Sequence, residues 1–374
     1  MPGGGRLSGL DGLRGLAAAY VVLFHCGVLT LRRFPANPGP SWTIWLSYGR
    51  ISVVFFLALS GFSLAVGPAR NGWRLGGLTR FLRRRAWRIL PPYWAALAAS
   101  LIVASLVVPG SYSAGPPTGA TAAVYGLALQ DMVNVPTPNG ALWSIAVEIE
   151  LYLLFPLLLA IRRRLGAVVL VAAATVPVVI YGLLSKHANP AEVTIWLTPH
   201  LLPVFVAGLV GAGIVVAPER IRRLPWIWFA VLAGLPVLAL IHRRGPTWTV
   251  DHYFWIDLAV VPAMTMLLAA IATGRPAPLL RLLSTWPFRR LGDISYSLYL
   301  THLMVVMVVA RKIAPALLPP GVPRFWFTVL VAFPLSLLAA WLFATVFEIP
   351  FKRARSVKAL FGVIRSAPGT ADRT

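Results

Sequence analysis

Three ionisable residues stand inside long apolar runs: His25, Glu148 and His302. Burying such groups in hydrocarbon is costly, so each is a candidate for chemistry. An imidazole is the side chain best matched to taking up a proton near neutral pH, and a carboxylate can orient it or hold a hydroxyl. Spacing from the flanking arginines gives their depths at about 1.5 Å per helical residue. His25 lies 11 residues past Arg14, about 16 Å in by that rise. His302 lies 12 residues past Arg290, about 18 Å in, and Glu148 14 residues before Arg162, about 21 Å in. Three helices thus bring titratable groups to a similar level, and a shared polar cavity would explain that.

Each residue also has a plainer reading. His25 could be a hydrogen-bonded core histidine, although Val21 to Phe24 offer no obvious partner on its own helix. Glu148 could pair with an arginine. Glu150, two positions on, faces away from it on a helix. His302 shares a helical stripe with Ser295, Tyr296 and Tyr299, which could be a packing seam using hydroxyls as glue. Ser144 could cap its helix or sit one turn from Glu148 on the same face, and Trp143 fits an interfacial aromatic belt. Arg14 follows Asp11 by three residues, an ion-pair spacing. The run Arg83, Arg84, Arg85 and Arg88 could mark the cytoplasmic side or capture phosphate, whose oxygens suit the guanidinium.

The elements that must position these residues are apolar helices. The runs cover 13–31, 44–67, 87–108, 141–161, 166–184, 197–217, 225–241, 254–272, 294–313 and 325–347. Each is near the length that spans a bilayer as a helix. Residues 120–130 are more weakly apolar and read as re-entrant or interfacial. Pro177, Pro203, Pro236, Pro262 and Pro334 fall inside spans, where neighbouring helices can satisfy freed carbonyls. The fold expected is an all-α membrane bundle of about ten transmembrane helices over 1–350, followed by a short basic tail at 351–374.

Composition agrees. The chain of 374 residues is 58% hydrophobic and only 12% charged, with a mean hydropathy of +0.76. Soluble domains are less apolar and carry about twice that charge. The net charge of +23 could suggest nucleic acid, but the basic residues cluster between apolar runs. Counted on alternate sides, 25 of the 34 Lys and Arg fall with the N-terminus and 9 on the other side. That asymmetry places both termini in the cytoplasm and requires an even number of crossings. The first helix reads as uncleaved, because the small-residue site Ala17–Ala19 lies near the start of its apolar stretch. The single cysteine, Cys26, excludes an internal disulfide framework and reads as a small buried residue. The scattered histidines form no metal-ligand pattern.

Five segments in order resemble the membrane-bound acyltransferase 3 family: LDGLRGLAAAYVVLFH at the N-terminus, SVVFFLALSGF at 52–62, FLRRRAWRILPPYW at 81–94, ALWSIAVEIELYLLFP at 141–156 and LGDISYSLYLTHL at 291–303. The resemblance covers nearly the whole chain. It implies a ten-helix cell-membrane enzyme that transfers acyl groups, such as acetyl, from acyl-CoA in the cytoplasm to hydroxyls of glycans or secreted natural products. By the same resemblance His25 and Arg14 match the family's essential histidine and arginine, with ten residues between them. Arg84, Arg85 and Arg88 match the basic third-helix motif, Trp143, Ser144 and Glu148 the WSxxxE segment, and Tyr296, Tyr299 and His302 the late segment. Many members have two consecutive glutamates where this chain has Glu148-Ile149, which removes the second carboxylate.

Together these readings make His25 the base or acyl carrier, Glu148 its orienter or an acceptor-hydroxyl binder, and the arginines the holders of the donor's phosphates. The rival class is a transporter or flippase, which midplane charges and proline-broken helices also fit; a membrane scaffold is the third. The abundance of arginine and alanine suggests a GC-rich bacterial genome.

Overall fold

A computed structural model describes residues 9–31, 35–36, 39–107, 115–185 and 198–353. Most of the basic tail, from 354 on, therefore lies outside the described residues. The chain begins with α1 (Leu10–Thr30). A 3-10 turn, Ser41–Tyr48, leads into α2 (Arg50–Arg70), and α3 (Leu78–Ile102) follows. A short helix, α4 (Gly119–Gly126), precedes the long α5 (Trp143–Leu184). The second half comprises α6 (Leu201–Gly211), α7 (Trp226–Asp251), α8 (Tyr253–Ala259), α9 (Val261–Ala272), α10 (Ser295–Val308) and α11 (Val322–Phe343). No strand occurs among the described residues.

Eight helical stretches are long and apolar enough to cross a membrane, and Leu201–Val216 is a shorter apolar helix. One of the eight is α5, whose 42 residues exceed the roughly 20 that a single crossing needs. It breaks at Gly166, where φ is 92°. That left-handed backbone suits glycine, and it falls just after Arg162, Arg163 and Arg164. The runs 141–161 and 166–184 are its two limbs. Among the described residues, each apolar run thus falls mostly on helix. The run 254–272 is not one helix: α8 ends at Ala259 and α9 restarts at Val261. Pro262 therefore occupies the first turn of α9, where a missing N–H costs nothing. The weakly apolar 120–130 contains α4, whose last turn takes a hydrogen bond from Tyr93 at the Tyr125 carbonyl (2.6 Å).

Large apolar side chains cover the outside of the bundle. Val168 is 83% exposed and Leu184 78%, and Leu153, Leu157, Leu232, Leu235, Leu330 and Leu338 are also exposed on long helices. At about 25 cal/mol per Å², such a belt is untenable in water and natural against lipid. Polar groups turn inward instead. Two buried clusters form the core, one centred on α2, α5 and α6, the other where α1 meets α10 and α11. The functional side chains gather where these clusters join.

Candidate functional site

A cavity opens between α1, α2, α3, α5 and α10, lined by Arg14, Arg85, Arg88, Ser144, Glu148, Tyr296 and Tyr299 among others. Apolar walls come from Val53, Phe56, Leu57, Ile89 and Ile145. Glu148 is held on one side by hydroxyls. It accepts from Ser60 Oγ at 2.9 Å and from Tyr152, and Ser60 and Tyr152 meet each other at 2.7 Å. Sequence reading passed over Ser60 and Tyr152, because lone hydroxyls in apolar helices carry no motif. Glu150 is absent from the cavity lining.

The arginines differ in their partners. Arg14 pairs with Asp11 at 3.0 Å, the spacing read from the sequence. Arg85 lies over the rings of Phe81 and Tyr152, and its Nε is buried without a hydrogen bond. Neither Arg85 nor Arg88 forms an ion pair among the described residues. Arg84 is exposed on the same helix and stands off the cavity.

His25 and His302 do not line the cavity; they meet each other just behind it. His302 Nε2 is 3.1 Å from His25 Nδ1. His302 Nδ1 faces the carbonyls of Leu298 (3.0 Å) and Tyr299 (2.8 Å). A carbonyl only accepts, so His302 carries its proton on Nδ1 and offers a lone pair at Nε2. His25 Nδ1 is also 2.9 Å from the Val21 carbonyl, so it too carries a proton, shared between Val21 and His302. The neutral pair thus leaves His25 Nε2 as a lone pair with no proton. The partner missing from the side chains of Val21 to Phe24 is a backbone oxygen, which residue types do not reveal. His302 is fully buried, with the Tyr299 ring 5.8 Å away. Tyr299 joins this pair to the cavity: its hydroxyl meets Ser144 Oγ at 2.7 Å, and its ring meets Phe56 edge-on. Ser144 is not a cap, since α5 starts at Trp143 with Leu142 in the cap position and no side-chain bond there.

The first turn of α10, with Tyr296, is held from outside its own sequence. Tyr296 donates to the Ile89 carbonyl at 3.1 Å. The buried Glu348 accepts from the Ser297 N–H at 3.2 Å and from the Ser297 hydroxyl, and pairs with Lys352. An anion at a helix N-terminus is favourable there.

Trp143 lies away from the cavity, under Arg50, whose guanidinium is 5.0 Å from the Trp143 ring and 5.0 Å from the Tyr253 ring. Arg50 Nε donates to Asp257 at 2.9 Å, and Nη2 meets His200 Nε2 at 3.1 Å. Asp257 is an ionisable residue inside the apolar run 254–272, where no motif singles it out. No group of three His, Cys, Asp or Glu able to hold a metal occurs among the described residues.

A cavity with a carboxylate and two arginines free of ion pairs among the described residues, backed by a histidine pair, fits a membrane enzyme's site better than a solute path. The family model for the acyltransferase domain of the acyltransferase 3 family matches residues 7–345. This chain belongs to that family, and it is a multi-pass membrane O-acyltransferase, which sets aside the transporter and scaffold readings. It is 28% identical to the acyltransferase MdmB of Streptomyces mycarofaciens, over 93% of this chain and 92% of that protein. It is 24% identical to the putative peptidoglycan O-acetyltransferase YrhL of Bacillus subtilis, over 89% of this chain and 53% of that one. Identity to the O-acetyltransferase OatA of Staphylococcus aureus is 23%, over 81% and 51%. The chain thus spans about half the length of the latter two.

Proposed function

We propose that this enzyme transfers an acetyl or other acyl group from acyl-CoA to a hydroxyl of a glycan or secreted natural product, with His25 as general base. The observation that carries the reading is the lone pair left on His25 Nε2 by the Val21 and His302 contacts. His25 takes the proton of the acceptor hydroxyl, and that oxygen attacks the thioester carbonyl. The C–S bond breaks, and His25 returns the proton to the departing sulfur. In this reading both termini are cytoplasmic and the chain crosses ten times, so Arg14, Arg85 and Arg88 stand at the cytoplasmic mouth. Arginines there, Arg85 and Arg88 without an ion pair among the described residues, suit the donor's phosphates, with Arg84 on the rim. Glu148, set by Ser60 and Tyr152, orients the reacting groups or binds acceptor hydroxyls, beside Ser144, Tyr296 and Tyr299. His302 fixes the tautomer of His25, and Trp143 faces the acceptor side. The glycan and natural-product classes draw on the names of the relatives.

The test is donor dependence. Purified protein in nanodiscs is expected to consume acetyl-CoA and release free thiol. A folded preparation that neither binds nor consumes any acyl-CoA contradicts the reading.

A further inference from the structure

The Arg50 cluster lies on the far side of His25 from the cavity arginines. Its arginine is held on four sides. Asp257 takes Nε and His200 takes Nη2, while the rings of Trp143 and Tyr253 flank the guanidinium. Among the described residues Nη1 makes no hydrogen bond, and the side chain is 17% exposed. Asp257 is fully buried and His200 97% buried by the same measure, at 0% and 3% exposure. Yet among the described residues Asp257 Oδ1 and His200 Nδ1 have no hydrogen-bond partner. Buried polar groups in native proteins are nearly always satisfied, so two orphans side by side point to a ligand.

Their chemistry is complementary. His200 Nε2 lies 3.1 Å from Arg50 Nη2, which only donates, and 3.2 Å from Asp257 Oδ2, which only accepts. The orphans are then an acceptor, Asp257 Oδ1, and a ring nitrogen, His200 Nδ1, that donates or accepts with the tautomer. A hydroxyl, which both donates and accepts, satisfies the pair, with Arg50 Nη1 as the outer donor. An anion fits poorly, because Asp257 already neutralises Arg50.

The cluster is tied to His25 from two directions. Gly49, beside Arg50, packs so tightly on the Phe24 ring that a Cβ there would collide with it, and Phe24 meets the His25 ring edge-on at 4.7 Å. From the other side Trp143 continues into Ser144, which bonds Tyr299 next to His302. We propose that Arg50, Asp257 and His200, with Trp143 and Tyr253, form a subsite for a neutral, hydroxyl-bearing acceptor of the carbohydrate class. This rests on the acyl-transfer reading above.

The experiment uses purified protein in nanodiscs, with acetyl-CoA as donor and methyl β-glucoside as the probe acceptor. Arg50→Gln is expected to raise the KM for the glucoside about tenfold or more, the loss of one charged hydrogen bond, while the donor KM stays within about twofold. Arg50→Lys, which keeps the charge but not the fork, is expected to rescue only part of this. Thermal unfolding of each variant separates binding from folding. Asp257→Asn, which keeps the shape and most hydrogen bonding, is expected to shift the glucoside KM in the same direction. An unchanged glucoside KM, an equal shift in donor KM, or a wild type that transfers nothing to the glucoside overturns the subsite. Failure of the acyl-transfer reading itself is distinct, since the wild type would then consume no donor at all.

Discussion

The two ends of this molecule use arginine in opposite ways. Around the cavity, Arg85 and Arg88 stand without a carboxylate, and Arg85 keeps a buried Nε unbonded. At the other end, Arg50 is locked to a buried aspartate and a buried histidine between two aromatic rings. An uncompensated cationic mouth attracts polyanions, whereas a neutralised, rigid guanidinium offers directed hydrogen bonds and little field. Residue type alone does not separate the two; the partner does. Between them lie His25 and His302, close enough to both ends to serve a reaction with one charged and one neutral substrate.

The sharpest way to break that contrast is to strip each arginine's carboxylate. Asp257→Ala strands Arg50 in the interior and is expected to cost about 3 kcal/mol of stability, seen as a clear fall in thermal midpoint. Asp11→Ala, at the partly exposed pair with Arg14, is expected to cost under about 1 kcal/mol. Equal losses would mean that the two ends are not differently built. Next in size, Arg85→Gln should raise the donor KM by about tenfold or more with an unchanged thermal midpoint, and rising salt should weaken donor binding in the wild type. A salt-independent donor KM would argue against a phosphate-holding mouth. Smaller still is His302→Phe. It removes the acceptor for the His25 proton but leaves the Val21 carbonyl, so kcat should fall by about tenfold with KM little changed. The smallest effect is expected from Tyr299→Phe, which keeps the ring against Phe56 and deletes only the bond to Ser144, about 1 kcal/mol; a kinetic comparison of kcat/KM would measure it.

Much of the fold was legible because hydropathy is a property of composition. Among the described residues each apolar run lies mostly on helix, and the gap between 161 and 166 coincides with the break at Gly166. What was not legible depends on tertiary pairing. His25 and His302 are 277 residues apart in sequence, and their shared proton follows from backbone carbonyls that no motif encodes. Glu148 was visible as a buried carboxylate, but its hydroxyl clamp, Ser60 and Tyr152, is spread over two helices. The partners of Arg50 were not legible, because a charge count by side says nothing of what each charge touches. Asp257 is an ionisable residue in an apolar run as Glu148 is, but no motif surrounds it.

The most direct test of the account is donor turnover by purified protein in nanodiscs, wild type beside His25→Ala. The lone pair on His25 Nε2 predicts a loss of about a hundredfold or more in acyl transfer, with donor binding and thermal midpoint retained. Transfer at the wild-type rate by a folded His25→Ala protein would contradict it and leave the enzyme without its proposed base.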